Sequence, residues 1–284
     1  MSPPLFHTLR LDRNDAIGIV TIDHPPLNLM DIALIEDLDR LGRWLEADDS
    51  LNVVIFQSAN PSFFIAHADL AMLDGMPRSI GPKSLQPSGH QQIVDRFRTL
   101  PQVTIAKIEG IARGGGSEFL MALDMRFGAL GGAVMSQPEV ALGFPPGCGA
   151  TQRLPRLVGR GNALEAILGC GDYSAKDAAR IGWLNRALSA GELGPFVDRL
   201  AARIAGFPRV AVVAAKSAIE ASTGPLRDGL CEEFQAFRIA YATPDAQLRV
   251  ERAMHRGFQT VALEAGELDD WLHELARPDA RESH

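Results

Sequence analysis

Between residues 103 and 123 the chain must turn sharply. A β-branched run, Val103-Thr104-Ile105-Ala106-Lys107-Ile108, is followed by Gly110-Ile111-Ala112-Arg113-Gly114-Gly115-Gly116-Ser117-Glu118-Phe119-Leu120. The run reads as a buried strand, and Phe119, Leu120 and Leu123 mark the apolar face of a helix. Three consecutive glycines between the two let the backbone approach a ligand closely, and a helix start leaves N–H groups free. Such a turn suits an anion or a developing oxyanion. Read alone, it is as well explained as a tight strand-to-helix connection, with Glu118 favoured in the first turn by the helix dipole. No Gly-Lys-Ser/Thr follows and the spacing is not G-x-G-x-x-G, which excludes a phosphate loop and a dinucleotide fingerprint.

The flanking sequence embeds this turn in an α/β layout. Residues 6–11 and 16–23 read as a hairpin around Asp12-Arg13-Asn14-Asp15, which Pro25-Pro26 ends. Asp31 reads as the N-cap of an amphipathic helix through about Glu46, with Leu34, Ile35, Leu38, Leu41 and Leu45 on its apolar face. Asn52–Phe56 is a short buried strand, and residues 91–99 are helical. Strands separated by helices imply parallel crossovers and an α/β sheet. Residues 75–90, rich in Gly, Pro and Ser, read as a long functional loop. Past residue 145 the pattern is mostly helical, over 191–206, 209–221, 226–241, 245–257 and the short acidic stretch 263–275. The expected division is an α/β core over residues 1–206 and a helical region over 207–284.

Composition narrows the function. A formal net charge of −7 argues against a basic nucleic-acid binder. No apolar segment approaches the roughly 20 residues needed to span a bilayer, and no signal peptide is visible, so a cytoplasmic protein without membrane contact is expected. Cys148, Cys170 and Cys231 are odd in number and lack C-x-x-C spacing, which fits a reducing compartment. H-E-x-x-H is absent, so no metal is expected. The serine elbow G-x-S-x-G is also missing.

Two further segments bear on chemistry. Phe63-Phe64-Ile65-Ala66-His67-Ala68-Asp69-Leu70 sets small residues between larger ones, where another main-chain N–H could face a ligand. Ser136-Gln137-Pro138-Glu139-Val140-Ala141-Leu142-Gly143 carries a glutamate after proline, on its own an ordinary first-turn acid. The order of small-residue loop, Gly-rich helix start with Glu, and then Gln-Pro-Glu resembles the enoyl-CoA hydratase/isomerase (crotonase) family. His24-Pro25-Pro26-Leu27-Asn28 is similar to that family's early Pro…Asn segment, and Ala66-His67-Ala68-Asp69 to its Ala-Gly-Ala-Asp loop. Gly114-Gly115-Gly116-Ser117-Glu118 resembles its Gly-Gly-Gly-x-Glu turn. Gln137-Pro138-Glu139, Pro146 to Leu154 and Ala215-Lys216 match later pieces, and the resemblance covers roughly residues 15–220.

The resemblance implies a crotonase-like (ClpP/crotonase) spiral of ββα units with a C-terminal helical oligomerisation region, assembled as a homo-trimer or hexamer. It implies an oxyanion hole from the amides of Ala68 and Gly115, catalytic Glu118 and Glu139 sharing a water, and substrate contacts from Ala66, His67, Asp69, Leu70 and Gly114. The activity implied is hydration of a 2-enoyl-CoA thioester, with coenzyme A present only as part of the substrate and no other cofactor. Alternatives are double-bond isomerisation or C–C cleavage with one carboxylate, and a non-catalytic acyl-thioester-binding scaffold. The sequence departs from the family at His67, where glycine is usual, and in its basic residues: His24 stands in place of an arginine and Ala71 in place of a lysine. Arg156, Arg160 or a neighbouring subunit are the candidates for the CoA phosphates.

Overall fold

The computed structural model describes residues 3–73 and 86–222, together with positions 243–245, 248 and 255. The expected helices at 226–241 and 263–275, and nearly all of 245–257, lie outside these residues. So does most of the 75–90 loop. The chain divides into two compact units, residues 1–100 with 104–198, and residues 101–103 with 199–284. Every candidate site residue lies in the first.

The hairpin forms from β1 (Leu9–Asn14) and β2 (Ile17–Ile22), paired antiparallel. Its turn falls at Asp15-Ala16, later than the predicted 12–15, with Asp15 at φ 51°. Helix α1 (Ile32–Glu46) starts where the sequence places it: Asp31 caps the helix by accepting from the Leu34 amide at 2.9 Å. Leu34, Leu38, Leu41 and Leu45 are buried along one face.

Beyond α1 the chain repeats one movement. A strand enters a first sheet, a short strand enters a second sheet, and a helix follows. The strand–strand–helix units are β3 (Val53–Ser58), β4 (Phe63–Ile65) and α2 (Gly89–Thr99), then β5 (Val103–Ile108), β6 (Ile111–Arg113) and α3 (Gly115–Leu120). A third begins with β7 (Met125–Ala129) and β8 (Val134–Ser136), continuing into α4 (Ala150–Val158) and α5 (Arg160–Gly169). Strand β9 (Tyr173–Ser174), α6 (Ala175–Ile181), β10 (Arg186–Leu188), α7 (Ala190–Ala205) and α8 (Arg209–Ala221) complete the described elements. The six-stranded sheet runs β1-β2-β3-β5-β7-β10 and the four-stranded sheet β4-β6-β8-β9. Parallel registers include Ile19 with Ile55, Ile105 with Met125 and Ile111 with Val134. This alternation between sheets is the expected spiral of ββα units. Past residue 145 the described chain is mostly helical, as expected, and the two short strands β9 and β10, which the reading did not include, lie at the edges of the two sheets.

The core locks the site-bearing elements together. Phe56 on β3, Phe97 on α2 and Phe119 on α3 are all fully buried and meet edge to face, with ring centroids 5.1–5.6 Å apart. Phe119→Ala removes the shared ring and is expected to cost about 3–5 kcal/mol, read as a lowered urea midpoint. A loss below about 1 kcal/mol would show that this cluster does not hold α2 and α3 in place. At the C-terminal end of α3, buried Arg126 donates to the carbonyl oxygens of Leu123 at 2.7 Å and Trp183 at 2.9 Å. Burial lowers its pKa to about 10, and its bonds satisfy two buried carbonyl oxygens, one just beyond α3 and one between α6 and β10.

Candidate active site

The loop after β4 is fixed by Met30. Met30 donates its amide to the His67 carbonyl at 2.9 Å and accepts from the Asp69 amide at 3.0 Å. Both bonds use residues flanking Ala68, as in a parallel bridge, so the Ala68 N–H faces the opposite side. Gly115 lies there: a Cβ built on it would stand 3.2 Å from Ala68 Cβ and 3.5 Å from Ala68 N. Among the described residues neither the Ala68 nor the Gly115 amide has a protein acceptor. Two main-chain donors from separate turns therefore sit side by side, unspent.

The glycine run works by conformation and by contact. Gly114 has φ 47° and ψ −123°, a region open essentially to glycine. A Cβ on it would also lie 2.8 Å from Glu139 Oε1, and one on Gly116 would reach 2.3 Å from the Ile65 carbonyl oxygen. The helix start thus lies directly on β4 and the Glu139 carboxylate, which the tight-turn explanation alone does not require.

Glu118 and Glu139 are 3% and 8% exposed. Glu118 Oε1 accepts from the amides of Cys148 at 2.7 Å and Ala150 at 2.9 Å, and the Gly149 amide and the Arg153 charge also favour its ionised form. Burial outweighs them and holds its pKa above the usual carboxylate value. Glu139 opens a 3-10 turn, Glu139–Leu142. Burial first, and then the Glu118 charge, push its pKa up to about 7. With its amide turned to satisfy both ends, Gln137 donates to both Glu139 oxygens at 3.2 Å and accepts from Ser117 Oγ at 3.1 Å. The two acids therefore differ in environment: one lies in a cradle of amides from another turn, and the other has the Gln137 side-chain amide, its own backbone N–H and its neighbour's charge.

The remaining predicted contacts divide. The Ala66 backbone is spent on Leu27 and Arg113, 3.2 Å in each case. The half-buried His67 ring places Nδ1 2.9 Å from the Ala68 carbonyl oxygen, on the loop itself. Asp69 accepts from the Ala71 amide at 3.0 Å, and Leu70 is exposed. His24 Nε2 lies 2.7 Å from Asp31 Oδ2, while Arg156 and Arg160 are exposed on α4 and α5. The sequence reading missed the amide cradle of Glu118, whose donors lie 30 and 32 residues further along the chain. It also missed His90, half-buried with Nε2 3.3 Å from Met30 Sδ and its pKa lowered by burial. The Pro146-Gly147-Cys148-Gly149 stretch was the one available signal for the cradle.

Strands threaded alternately through two sheets, with a glycine-rich helix start at the site, place the protein in the crotonase fold class. The enoyl-CoA hydratase/isomerase pattern matches residues 12–256. A short-chain enoyl-CoA hydratase from Clostridium acetobutylicum is 32% identical over 237 residues, 83% of this chain and 90% of that protein. A crotonyl-CoA hydratase from Syntrophomonas wolfei is 29% identical, covering 84% of this chain and 92% of its own length. The crystal structure of an enoyl-CoA hydratase from Bacillus anthracis superposes with a TM-score of 0.79 at 29% identity, over 88% of this chain and 96% of that one. The chain belongs to the enoyl-CoA hydratase/isomerase family, whose members act on acyl-CoA thioesters. Among the described residues no helix is long and apolar enough to cross a membrane.

Proposed function

We propose that the protein adds water across the double bond of a short 2-enoyl-CoA thioester, with no cofactor beyond the coenzyme A of the substrate. The observation that carries this reading is the pairing of two buried glutamates beside two unspent amides. The thioester oxygen accepts from the Ala68 and Gly115 N–H groups, which stabilise the enolate as charge moves onto it. Ionised Glu118, its charge spread over the amide cradle, takes a proton from water while the water oxygen bonds to C3. Protonated Glu139 delivers its proton to C2. Proton transfer from Glu118 to Glu139 then restores both acids, so one water is consumed and no redox step occurs. The assignment follows the environments: the carboxyl near pKa 7 keeps its proton most easily, and the amide-bound one has partners for its charge.

The test is crotonyl-CoA at neutral pH, followed by loss of the enoyl thioester absorbance and by mass. The expected product is heavier by one water. A shifted double bond without water uptake would move the assignment to isomerisation, and tight binding without turnover to an acyl-thioester-binding scaffold.

A further inference from the structure

Helix α2 presents Gln91, Val94 and Asp95 on one face, at the i, i+3, i+4 spacing. All three support the turn that grips Glu118. Gln91 Nε2 donates to the Gly147 carbonyl at 3.0 Å, and Val94 is buried in a small cluster with Cys148 and Ala122. Asp95 Oδ1 accepts from Arg153 Nη2 at 2.8 Å. Arg153, on α4, donates its Nη1 to the Cys148 carbonyl at 2.9 Å. Its guanidinium lies so close to Gly149 that a Cβ there would fall 2.0 Å from Nη1. Cys148 is thus held from behind through its carbonyl, while its amide holds Glu118. The chain of contacts Asp95–Arg153–Cys148–Glu118 runs inward from an aspartate side chain 43% exposed to a buried carboxylate.

We infer that Arg153, locked by Asp95, is the positioning residue for Glu118: it fixes the 147–150 turn in the form whose amides engage one carboxylate oxygen and leave the other for water. The inference rests on Glu118 being a catalytic group.

Electrostatics supports the same arrangement. The groups facing Glu118 are Arg153 from α4, whose charge favours the carboxylate, Glu139 from the 139–142 turn, and the Cys148 thiol, which burial and the Glu118 charge push up to about 12. Behind Arg153 stand Asp95 and its second partner Arg98, whose hydrogen bond holds the Asp95 carboxyl below the usual range. Removing Arg153 therefore raises the Glu118 titration, through loss of its charge and of its hold on the Cys148 carbonyl. Arg153→Lys keeps the charge but not the two-pronged hold on the Cys148 carbonyl and Asp95. A positioning role raises the titration in that variant too, whereas a charge acting alone leaves it in place.

The experiment uses the full chain carrying Arg153→Met or Arg153→Lys. It reads kcat and KM for crotonyl-CoA, and the side-chain carboxyl 13C signal of Glu118, assigned by its loss in Glu118→Gln. The expected result for Arg153→Met is a kcat lowered on the order of 100-fold with KM little changed, and a Glu118 midpoint moved up in pH. Arg153→Lys should also move the midpoint up and lower kcat. A midpoint unmoved in Arg153→Lys would overturn the inference, leaving Arg153 as a charge alone. The 13C measurement needs no substrate, so it decides this point even if the parent protein leaves crotonyl-CoA unhydrated, a result that would instead overturn the proposed activity. Should Arg153→Met fail to fold, the midpoint in Arg153→Lys alone supports or overturns the inference.

Discussion

Glu139→Gln is expected to lower kcat for crotonyl-CoA about 10²–10⁴-fold, the usual range for loss of one proton-transfer group, and at the same time to stabilise the fold. Gln keeps the shape, and its amide cannot deliver the proton to C2. The stability sign follows from the raised pKa. Folded, the Glu139 carboxyl titrates at about 7 against an ordinary 4.5, so between these values the native state binds more protons than the unfolded one. Stability therefore falls as pH rises through that window, reaching a penalty of about 3 kcal/mol above it. Glutamine removes the penalty. At pH 8 the variant should unfold at higher urea than the parent, and below about pH 4.5 the two should converge. Parental turnover, or no gain in stability at pH 8, would contradict the assignment of Glu139 as the buried acid. Glu118→Gln should lose comparable activity, since an amide cannot take the proton from water.

The same residues show what the sequence discloses and where it stops. Helix α1 was legible because Asp31 caps it and four leucines repeat at helical spacing, and β5 because Val103, Thr104, Ile105 and Ile108 make a β-branched run between Pro101 and Gly110. The three-residue strands β4, β6 and β8 were not, since a strand that short offers no alternation to count. Phe63-Phe64-Ile65 reads equally as loop or strand until β6 pairs with it. Strands β9 and β10 hid for the same reason inside a helical stretch. At the site, the Gly-rich turn announced a close approach by its own chemistry, while Ala68, Glu118 and Glu139 were marked only by their resemblance to a family. Spacing alone could not have joined Glu118 to the amides of Cys148 and Ala150, because that contact is made by the spiral and leaves no local trace. Gln137 illustrates the same point: only the fold sets its amide between Ser117 and Glu139.

Gly114→Ala is the sharpest test of the paired amides. One methyl group meets two obstacles: a backbone at φ 47°, ψ −123° that L-residues avoid, and a Glu139 oxygen 2.8 Å from the new carbon. Holding that backbone costs on the order of 1–3 kcal/mol. The Gly114 amide is tied to the Ser136 carbonyl at 3.0 Å, so relief that keeps this bond rotates the peptide that carries the Gly115 N–H. Glu139 must move as well, since it borders the new methyl directly. One oxyanion donor is worth about 10²–10³ in kcat, so the expected loss is at least that large, with unfolding temperature falling by a few degrees. The pattern separates this role from bulk destabilisation. Phe119→Ala should cost more stability than Gly114→Ala and, well below its melting point, far less turnover. A Gly114→Ala enzyme that kept parental kcat would mean that the Gly115 amide does not meet the thioester oxygen, and the site would have to be built around other donors.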